Sequence, residues 1–124
     1  MEYPFEKLEV WQLGMQLVQQ VYCATQQFPK DEQFGITSQI RRAAVSVPLN
    51  IAEGKGRFHT KSFIQFLYQA RGSLFEVITL IKLSEKLKYF KEKKEVENIL
   101  VICDSLTKKI NALVSSMKEP LATS

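Results

Sequence analysis

The C-terminal part of this chain carries an apolar residue at every third or fourth position for three heptads. The residues that keep this spacing are Val96, Ile99, Cys103, Leu106, Ile110, Leu113 and Met117. Alternate steps of three and four place their side chains on one face of a helix, as in the seam between packed helices. Because such a face is stable only when other helices cover it, the pattern predicts a bundle of helices.

Three earlier segments show helical spacing as well, and no segment shows the alternation that is typical of a strand. The expected helices cover residues 6–27, 38–53, 60–87 and 93–117. The connections between them are short, which favours antiparallel neighbours. The sequence therefore predicts an all-α fold: a single domain, residues 1–124, that forms an antiparallel up-down-up-down four-helix bundle.

The second predicted helix contains Pro48, which removes a backbone hydrogen bond and costs a straight helix about 3 kcal/mol or more. We interpret the expected bend as a means of directing the turn 50–53 at a neighbour. The alternative is that the helix ends just before this proline, since the preceding residue avoids helical angles. Thr37 or Ser38 is the expected N-cap, and Gly54 is the expected C′ residue.

The third predicted helix is more apolar than one bundle requires. Thirteen of the twenty-one residues from Phe63 to Leu83 are apolar, whereas a core-facing helix needs about three per heptad. Ile64, Tyr68 and Phe75 form a second stripe beside the main one. A surface patch of this kind marks an interface, so we expect this helix to join copies in a homo-oligomer. The alternative is that another segment of the same chain covers one flank.

Arg71 lies between the two stripes, where a charge needs a partner. We expect it to meet Asn50, Glu53 or a carboxylate of another subunit, and we expect Glu76 to meet the Arg41–Arg42 pair. The residues assigned to structure or oligomer formation are Asn50, Glu53, Ile64, Tyr68, Arg71, Phe75 and Glu76.

The net charge of +4 is unevenly distributed. Residues 41–94 hold twelve Lys or Arg against four acids. In an up-down bundle these cations form one cluster at each end. The candidate nucleic-acid-binding residues are Arg41, Arg42, Lys88, Lys91, Lys93 and Lys94 at one end, and Lys55, Arg57 and Lys61 at the other. Such clusters bind phosphate through counterion release, without reading sequence.

Three aromatic residues near these clusters, Tyr89, Phe90 and Phe58, are candidates for stacking on bases. The alternative is that the lysine-rich loops are only solvated, with Asp31 and Glu32 neutralising part of the first cluster.

Catalysis is not expected. The single histidine, His59, lies among cations with no acid to orient it, and Glu53 and Glu76 lack the context of a catalytic pair. Cys23 and Cys103 occur in apolar helical patterns without a CxxC motif, so we expect reduced, packed thiols and neither metal nor cofactor.

No apolar run approaches the roughly 20 residues of a membrane span, and the acidic, aromatic N-terminus is unlike a signal peptide. A soluble, cytoplasmic protein that does not contact membranes is therefore expected.

A family resemblance rests on three stretches: FEKLEVW, FPKDEQFGITSQIRRAAVSVPLNIAEG and FLYQARGSLFE. Over about residues 5–90 the chain resembles the bacterial four-helix bundle family first named for proteins encoded in intervening sequences of 23S ribosomal RNA genes. The resemblance implies a homopentamer of up-down bundles, without an established function. The motif residues are Arg41, Arg42, Asn50, Glu53, Gly54, Arg71, Gly72, Ser73 and Glu76, and we interpret them as structural before functional.

A related group, the accessory proteins of diversity-generating retroelements, is similar in fold and implies RNA, DNA or a reverse transcriptase as partner. Two hypotheses follow. The first is a non-catalytic, homo-oligomeric accessory protein that binds nucleic-acid phosphate. The second is a protein-interaction scaffold that does not bind nucleic acid directly.

Overall fold

Four long helices account for most of the chain in the computed structural model, which describes residues 1–123. They are α1 (Glu9–Thr25), α2 (Ile36–Lys55), α3 (Thr60–Lys86) and α4 (Lys93–Thr123). Short 3₁₀ helices, Pro4–Lys7 and Lys30–Glu32, precede α1 and α2. Within residues 1–123 there is no strand, so the prediction of an all-α fold of four helices is confirmed. α4 continues beyond residue 117, where we expected it to end.

One apolar core joins the four helices. Each helix contributes a stripe of side chains at steps of three and four, and the largest residues of these stripes have almost no contact with solvent. They are Leu17, Ile40, Ile51, Leu67, Leu74, Ile81, Ile99, Leu106 and Ile110. The amphipathic periodicity of the sequence therefore predicts which side chains are buried. Burial of each large apolar side chain contributes roughly 1.5–3 kcal/mol to stability.

Contacts between neighbouring helices join residues that are distant in the chain. For α1 and α2 they link Gly14 with Pro48 and Thr25 with Arg41. The further contacts are Ser46–Ser73 between α2 and α3, Arg71–Asn111 between α3 and α4, and Glu9–Lys109 and Gln27–Glu95 between α1 and α4. Each helix is thus held by two others, and this determines which residues reach the surface.

α2 continues through Pro48, so the alternative in which the helix ends before this proline is wrong. The proline is buried against α1, where a Cβ atom on Gly14 would lie 3.3 Å from the Pro48 Cβ. The absence of a side chain on Gly14 leaves room for the proline ring. Packing between α1 and α2 therefore offsets part of the cost of the lost backbone hydrogen bond.

Gly54 is not the C′ residue that we expected, because it lies inside α2. A Cβ atom there would come 2.6 Å from Phe66 Cβ and 2.9 Å from Phe63 Cδ1, which is too close for any side chain. Gly54 therefore permits the close approach of α2 and α3, and the helix ends one residue later, with Gly56 as its C-cap.

The start of α2 also differs from the expected one. The N-cap position is Gly35, and the Glu32 carboxylate accepts the Ile36 N–H at 3.2 Å from the preceding turn. Thr37, an expected cap, is buried, and its hydroxyl oxygen has no hydrogen-bond partner among the residues described. A carboxylate four residues upstream replaces the predicted hydroxyl cap.

Candidate nucleic-acid and protein interfaces

The lysine-rich turn between α3 and α4 packs on the turn between α1 and α2. The Phe28 ring contacts the rings of Tyr89 and Phe90, with centroid distances of 5.4 and 5.1 Å. Tyr89 and Phe90 are half-buried as a result. Their expected role as open stacking surfaces is wrong, because an aromatic residue of the same chain already covers them.

Polar contacts hold the same two turns together. Gln27 accepts the Lys91 backbone N–H at 2.7 Å and donates to the Glu95 carboxylate at 2.7 Å. The Tyr89 hydroxyl donates to Glu32 at 2.7 Å. This bond lowers the pKa of the Glu32 carboxyl and raises the pKa of Tyr89, since it favours the carboxylate and the neutral phenol. The turn is therefore anchored at several points.

Four predicted phosphate-binding lysines project from this anchored turn. Lys88, Lys91, Lys93 and Lys94 are exposed, and none forms an ion pair with another described residue. Lys88 has a φ of 62°, and the following N–H donates to the Ser84 carbonyl at 3.0 Å. Helices commonly end in this way, but the left-handed position usually holds glycine.

Arg41 and Arg42 differ in environment although they are adjacent. Arg41 donates to the Thr25 hydroxyl at 2.9 Å and to the Tyr22 carbonyl at 3.3 Å, and its guanidinium lies 4.6 Å from the centre of the Tyr22 ring. Arg42 is exposed. The predicted pairing of Glu76 with either arginine is wrong within this chain, because Arg41 turns toward α1 and Glu76 forms no ion pair with the residues described.

The second basic cluster lies in the turn between α2 and α3. Lys55, Arg57 and Lys61 are all exposed. Arg57 pairs with Glu53 at 3.1 Å. Phe58, at the tip of the turn, is 100% exposed.

Arg71 forms contacts other than those we expected. It donates to the Asn111 side-chain oxygen of α4 at 2.8 Å, and its guanidinium lies 4.8 Å from the centre of the Tyr68 ring. The predicted contact with Asn50 or Glu53 is wrong, because the α4 side of the helix supplies the partner. A contact between Arg71 and another subunit stays a prediction.

The surplus apolar surface of α3 is largely covered within the single chain. Ile64 is only 5% exposed and Tyr68 is half-buried, so these residues do not form an open stripe with Phe75. Lys118 of α4 lies over the Tyr68 ring, at 5.3 Å from its centre. Phe75 remains 49% exposed. The alternative, in which another segment covers one flank, holds for Ile64.

A groove of about 710 Å³ runs along the outer side of α2. It is lined by Tyr22, Phe34, Arg41, Arg42, Val45, Leu49, Asn50 and Glu53, among others. Phe34 is 91% and Leu49 is 61% exposed. None of Tyr22, Phe34 and Leu49 is among the site residues predicted from the sequence. Leu49 could have been found, because it lies off the buried stripe of α2.

The Asn50 amide at the edge of this groove donates to the backbone carbonyl and the hydroxyl of Ser46, at 2.8 and 2.9 Å. Ser46 is also hydrogen-bonded to Ser73 of α3 at 2.8 Å. Asn50 therefore belongs to a polar link between α2 and α3.

The cysteines lie in opposite environments. Burial raises the pKa of the Cys103 thiol to about 12. Cys23 is exposed, so the prediction of a packed thiol is wrong for this residue. In the part of the chain that the structure describes, no group of three or more metal-ligating side chains is found. Over the same residues, no helix is both long and apolar enough to cross a bilayer.

The sequence model of the family described as 23S rRNA-intervening sequence protein matches residues 6–112. The chain belongs to this family. The match extends past residue 90, the approximate limit of the predicted resemblance, and it includes most of α4. No curated protein matches the chain.

A crystal structure from Bacteroides thetaiotaomicron VPI-5482, described as a protein of unknown function from the S23 ribosomal protein family, is similar to this family member. The similarity has a TM-score of 0.75 at 17% identity and covers 85% of this chain and 97% of the other. At this identity, the similarity shows only that the two proteins share a fold.

Proposed function

We propose that this member of the 23S rRNA-intervening sequence family is a non-catalytic, cytoplasmic, self-assembling bundle that binds nucleic-acid phosphate through the α3–α4 turn. The observation that carries the proposal is the exposure of Lys88, Lys91, Lys93 and Lys94 on a turn that is anchored by Phe28. A cluster already held in place loses less conformational freedom on binding. Its charge binds phosphate by releasing counterions.

The conformation of Lys88 supports the same role. A left-handed backbone at the end of a helix favours glycine, and a side chain there costs roughly 1 kcal/mol. A lysine at this position is easier to explain if its charge acts at the surface of the turn.

The proposal includes an antiparallel up-down-up-down arrangement of the helices and assembly through the outer sides of α2 and α3. Gly72 supports assembly, because it lies exposed in the middle of α3, where glycine costs roughly 1 kcal/mol relative to alanine. Apart from the adjacent residues and the nearby backbone of α3 itself, no atom of the same chain lies within 4 Å of a Cβ built on it. The close approach of a second copy would explain why this position holds a glycine.

The exposed surfaces of α3 and α2 are complementary. Phe75 and Glu76 lie next to Gly72 on α3, whereas Leu49 and Arg42 are exposed on α2. Contact between α3 of one copy and α2 of the next would cover apolar side chains and pair the unmatched charges. Two different faces that meet in this way form a ring when the rotation between copies closes, and an open filament when it does not. The family resemblance implies that this ring is a pentamer.

Assembly is tested by light scattering at micromolar concentration. We expect an oligomer for the wild type and a smaller mass for Gly72→Ala. Arg42→Glu and Glu76→Arg should each weaken assembly, and the double variant should restore it. Val101→Ala, which changes an exposed side chain of α4, is the control. A monomeric wild-type protein would refute the assembly.

Phosphate binding is tested by mobility shift at increasing salt. The wild type should bind RNA or DNA at low salt and lose affinity steeply as salt rises, with a slope of about −0.9 for each duplex phosphate contact. The variant Lys91→Glu, Lys93→Glu, Lys94→Glu should bind more weakly and with a shallower slope. The control carries the same charge change at the exposed residues Lys7, Lys82 and Lys108. Equal losses in both variants would refute a specific role of the turn.

The alternative function is a protein-interaction scaffold, and the groove along α2 with exposed Phe34 and Leu49 favours it. The likeness to the accessory proteins of diversity-generating retroelements implies a reverse transcriptase or another protein as the partner. Purified partner that binds after nuclease treatment, and that no longer binds Leu49→Asp, would support the scaffold over direct binding of nucleic acid.

A further inference from the structure

We propose that the turn between α2 and α3 is a second binding site, specific for an unpaired nucleotide. Phe58 stacks on the base, and Lys55 and Lys61 contact the flanking phosphates. This inference rests on the proposed function, which supplies nucleic acid as the ligand, and it adds the type of strand and the residues that recognise it.

The aromatic part of the site is the Phe58 side chain. It is 100% exposed, whereas Phe28 covers both Tyr89 and Phe90. The neighbouring His59 ring is tilted by 55°, and its centroid lies 6.4 Å from that of Phe58. Of the three aromatic residues predicted to stack on bases, Phe58 is thus the one with an open ring face.

The cationic part of the site consists of the residues that flank Phe58 in the same turn. Lys55, Arg57 and Lys61 are exposed within a few residues of Phe58. The nearby acid, Glu53, pairs with Arg57 at 3.1 Å, which leaves the two lysines without an acidic partner among the described residues. Exposed pairs of this kind are weak, so Arg57 also adds to the positive field.

Arg57 is positioned by a second contact, with its guanidinium 4.8 Å from the centre of the Phe66 ring on α3. Lys55 lies over the Phe63 ring at 5.9 Å. Lys55 and Arg57 therefore lie against the first turns of α3, whereas the Phe58 ring is fully open to solvent. A strand lying across the tip would place a base on the ring and its phosphates near the lysines.

This arrangement fits a single strand better than a duplex. Bases inside a duplex are already stacked on each other, whereas unpaired bases stack on aromatic side chains next to basic grooves.

The turn also fits nucleic acid better than a membrane surface. Membrane-bound segments bury a broad apolar face, whereas Phe58 is the one apolar residue between Gly54 and Ser62.

The test compares Phe58→Ala with the wild type in fluorescence anisotropy, using a single-stranded oligonucleotide and a duplex of the same length at the same salt. We expect the affinity for the single strand to fall roughly 5- to 150-fold, the range for loss of one stacked base, and the affinity for the duplex to stay unchanged. Tyr3→Ala, which removes an exposed aromatic side chain that belongs to none of the proposed sites, is the control. Equal losses in both variants would contradict the assignment.

A second variant reports the contact directly. Phe58→Trp in a Trp11→Phe background places the chain's single tryptophan at the tip of the turn. We expect it to retain affinity for the single strand and to lose fluorescence when that strand binds, because stacking on a base quenches indole emission. Unchanged fluorescence at saturating oligonucleotide would overturn the proposal.

The outcomes separate this site from the proposed function. If the wild type binds neither strand type at low salt, both proposals fail. If it binds the single strand and Phe58→Ala binds equally well, only the site at Phe58 fails. If Phe58→Ala loses affinity for phosphatidylserine vesicles but not for the oligonucleotide, the turn is a membrane contact and the inference is overturned.

Discussion

At the scale of single residues, similar sequence environments lead to different chemistry. Cys23 and Cys103 both occur in apolar helical patterns, yet Cys23 is exposed, whereas burial raises the pKa of Cys103 to about 12. Because the thiolate is the reactive form, we expect a thiol reagent to modify Cys23 alone in the folded protein and both residues after denaturation. Mass spectrometry of the labelled protein and of Cys23→Ser measures this. Modification of folded Cys103 as fast as Cys23 would contradict it.

At the scale of the helices, Gly54 limits how closely α2 and α3 approach. A methyl group there would lie 2.6 Å from Phe66 Cβ, so Gly54→Ala forces the helices apart. We expect the free energy of unfolding to fall by about 1–3 kcal/mol, the usual cost of overpacking, despite the better helix propensity of alanine. Urea denaturation measures this change.

Gly56→Ala is the control for this prediction. Gly56 has a φ of −78°, and its Cβ would lie 3.5 Å from the nearest atom, which is an ordinary contact. We expect its stability to match that of the wild type. Equal destabilisation by the two substitutions would mean that the turn, and not helix packing, requires glycine.

At the scale of the whole molecule, the turns at one end are joined by the hydrogen bond from Tyr89 to Glu32. The bond lowers the pKa of Glu32 in the folded state, so the unfolded chain binds the proton first as pH falls. The bond therefore contributes stability at neutral pH, and this contribution is lost as pH falls through the folded-state pKa of Glu32. We expect Tyr89→Phe to be less stable than the wild type at neutral pH, and the difference to narrow in acid.

Urea unfolding over this pH range, with Glu32→Gln as the control, measures the effect. The control lacks the carboxylate and should show a weaker dependence on acid. At alkaline pH the sign is opposite: the pKa of Tyr89 is raised, so its contribution is lost as pH rises through that value. A constant difference between Tyr89→Phe and the wild type at all pH values would show that the bond is not formed in solution.

The packing of the whole molecule also changes which surfaces are available for assembly. Part of the apolar excess of α3 predicted from the sequence is buried within the chain, as Ile64 shows. Phe75, beside Gly72, and Leu83 remain exposed on α3, and Leu49 remains exposed on α2. The proposed interface is therefore smaller on α3 than the sequence indicated, and it includes a surface on α2 that periodicity had not revealed.

The helices and the core could be predicted from the sequence because both depend on local periodicity. Steps of three and four place Leu67, Leu74 and Ile81 on one face of a helix in any tertiary context. The hydrophobic effect then favours burial of that face. The positions of the basic clusters in two turns followed from the same pattern. The sequence by itself therefore determined the secondary structure and the distribution of charge along the chain.

Tertiary structure alone decided which surface residues are available. Helical periodicity does not show which other element packs on each side of a helix. The sequence therefore could not reveal that Phe28 covers Tyr89 and Phe90, or that Arg71 donates a hydrogen bond to Asn111. These contacts join residues distant in the chain, and their geometry depends on the packing of whole helices. The same packing buries Ile64 and leaves Phe58 fully exposed at the tip of a turn.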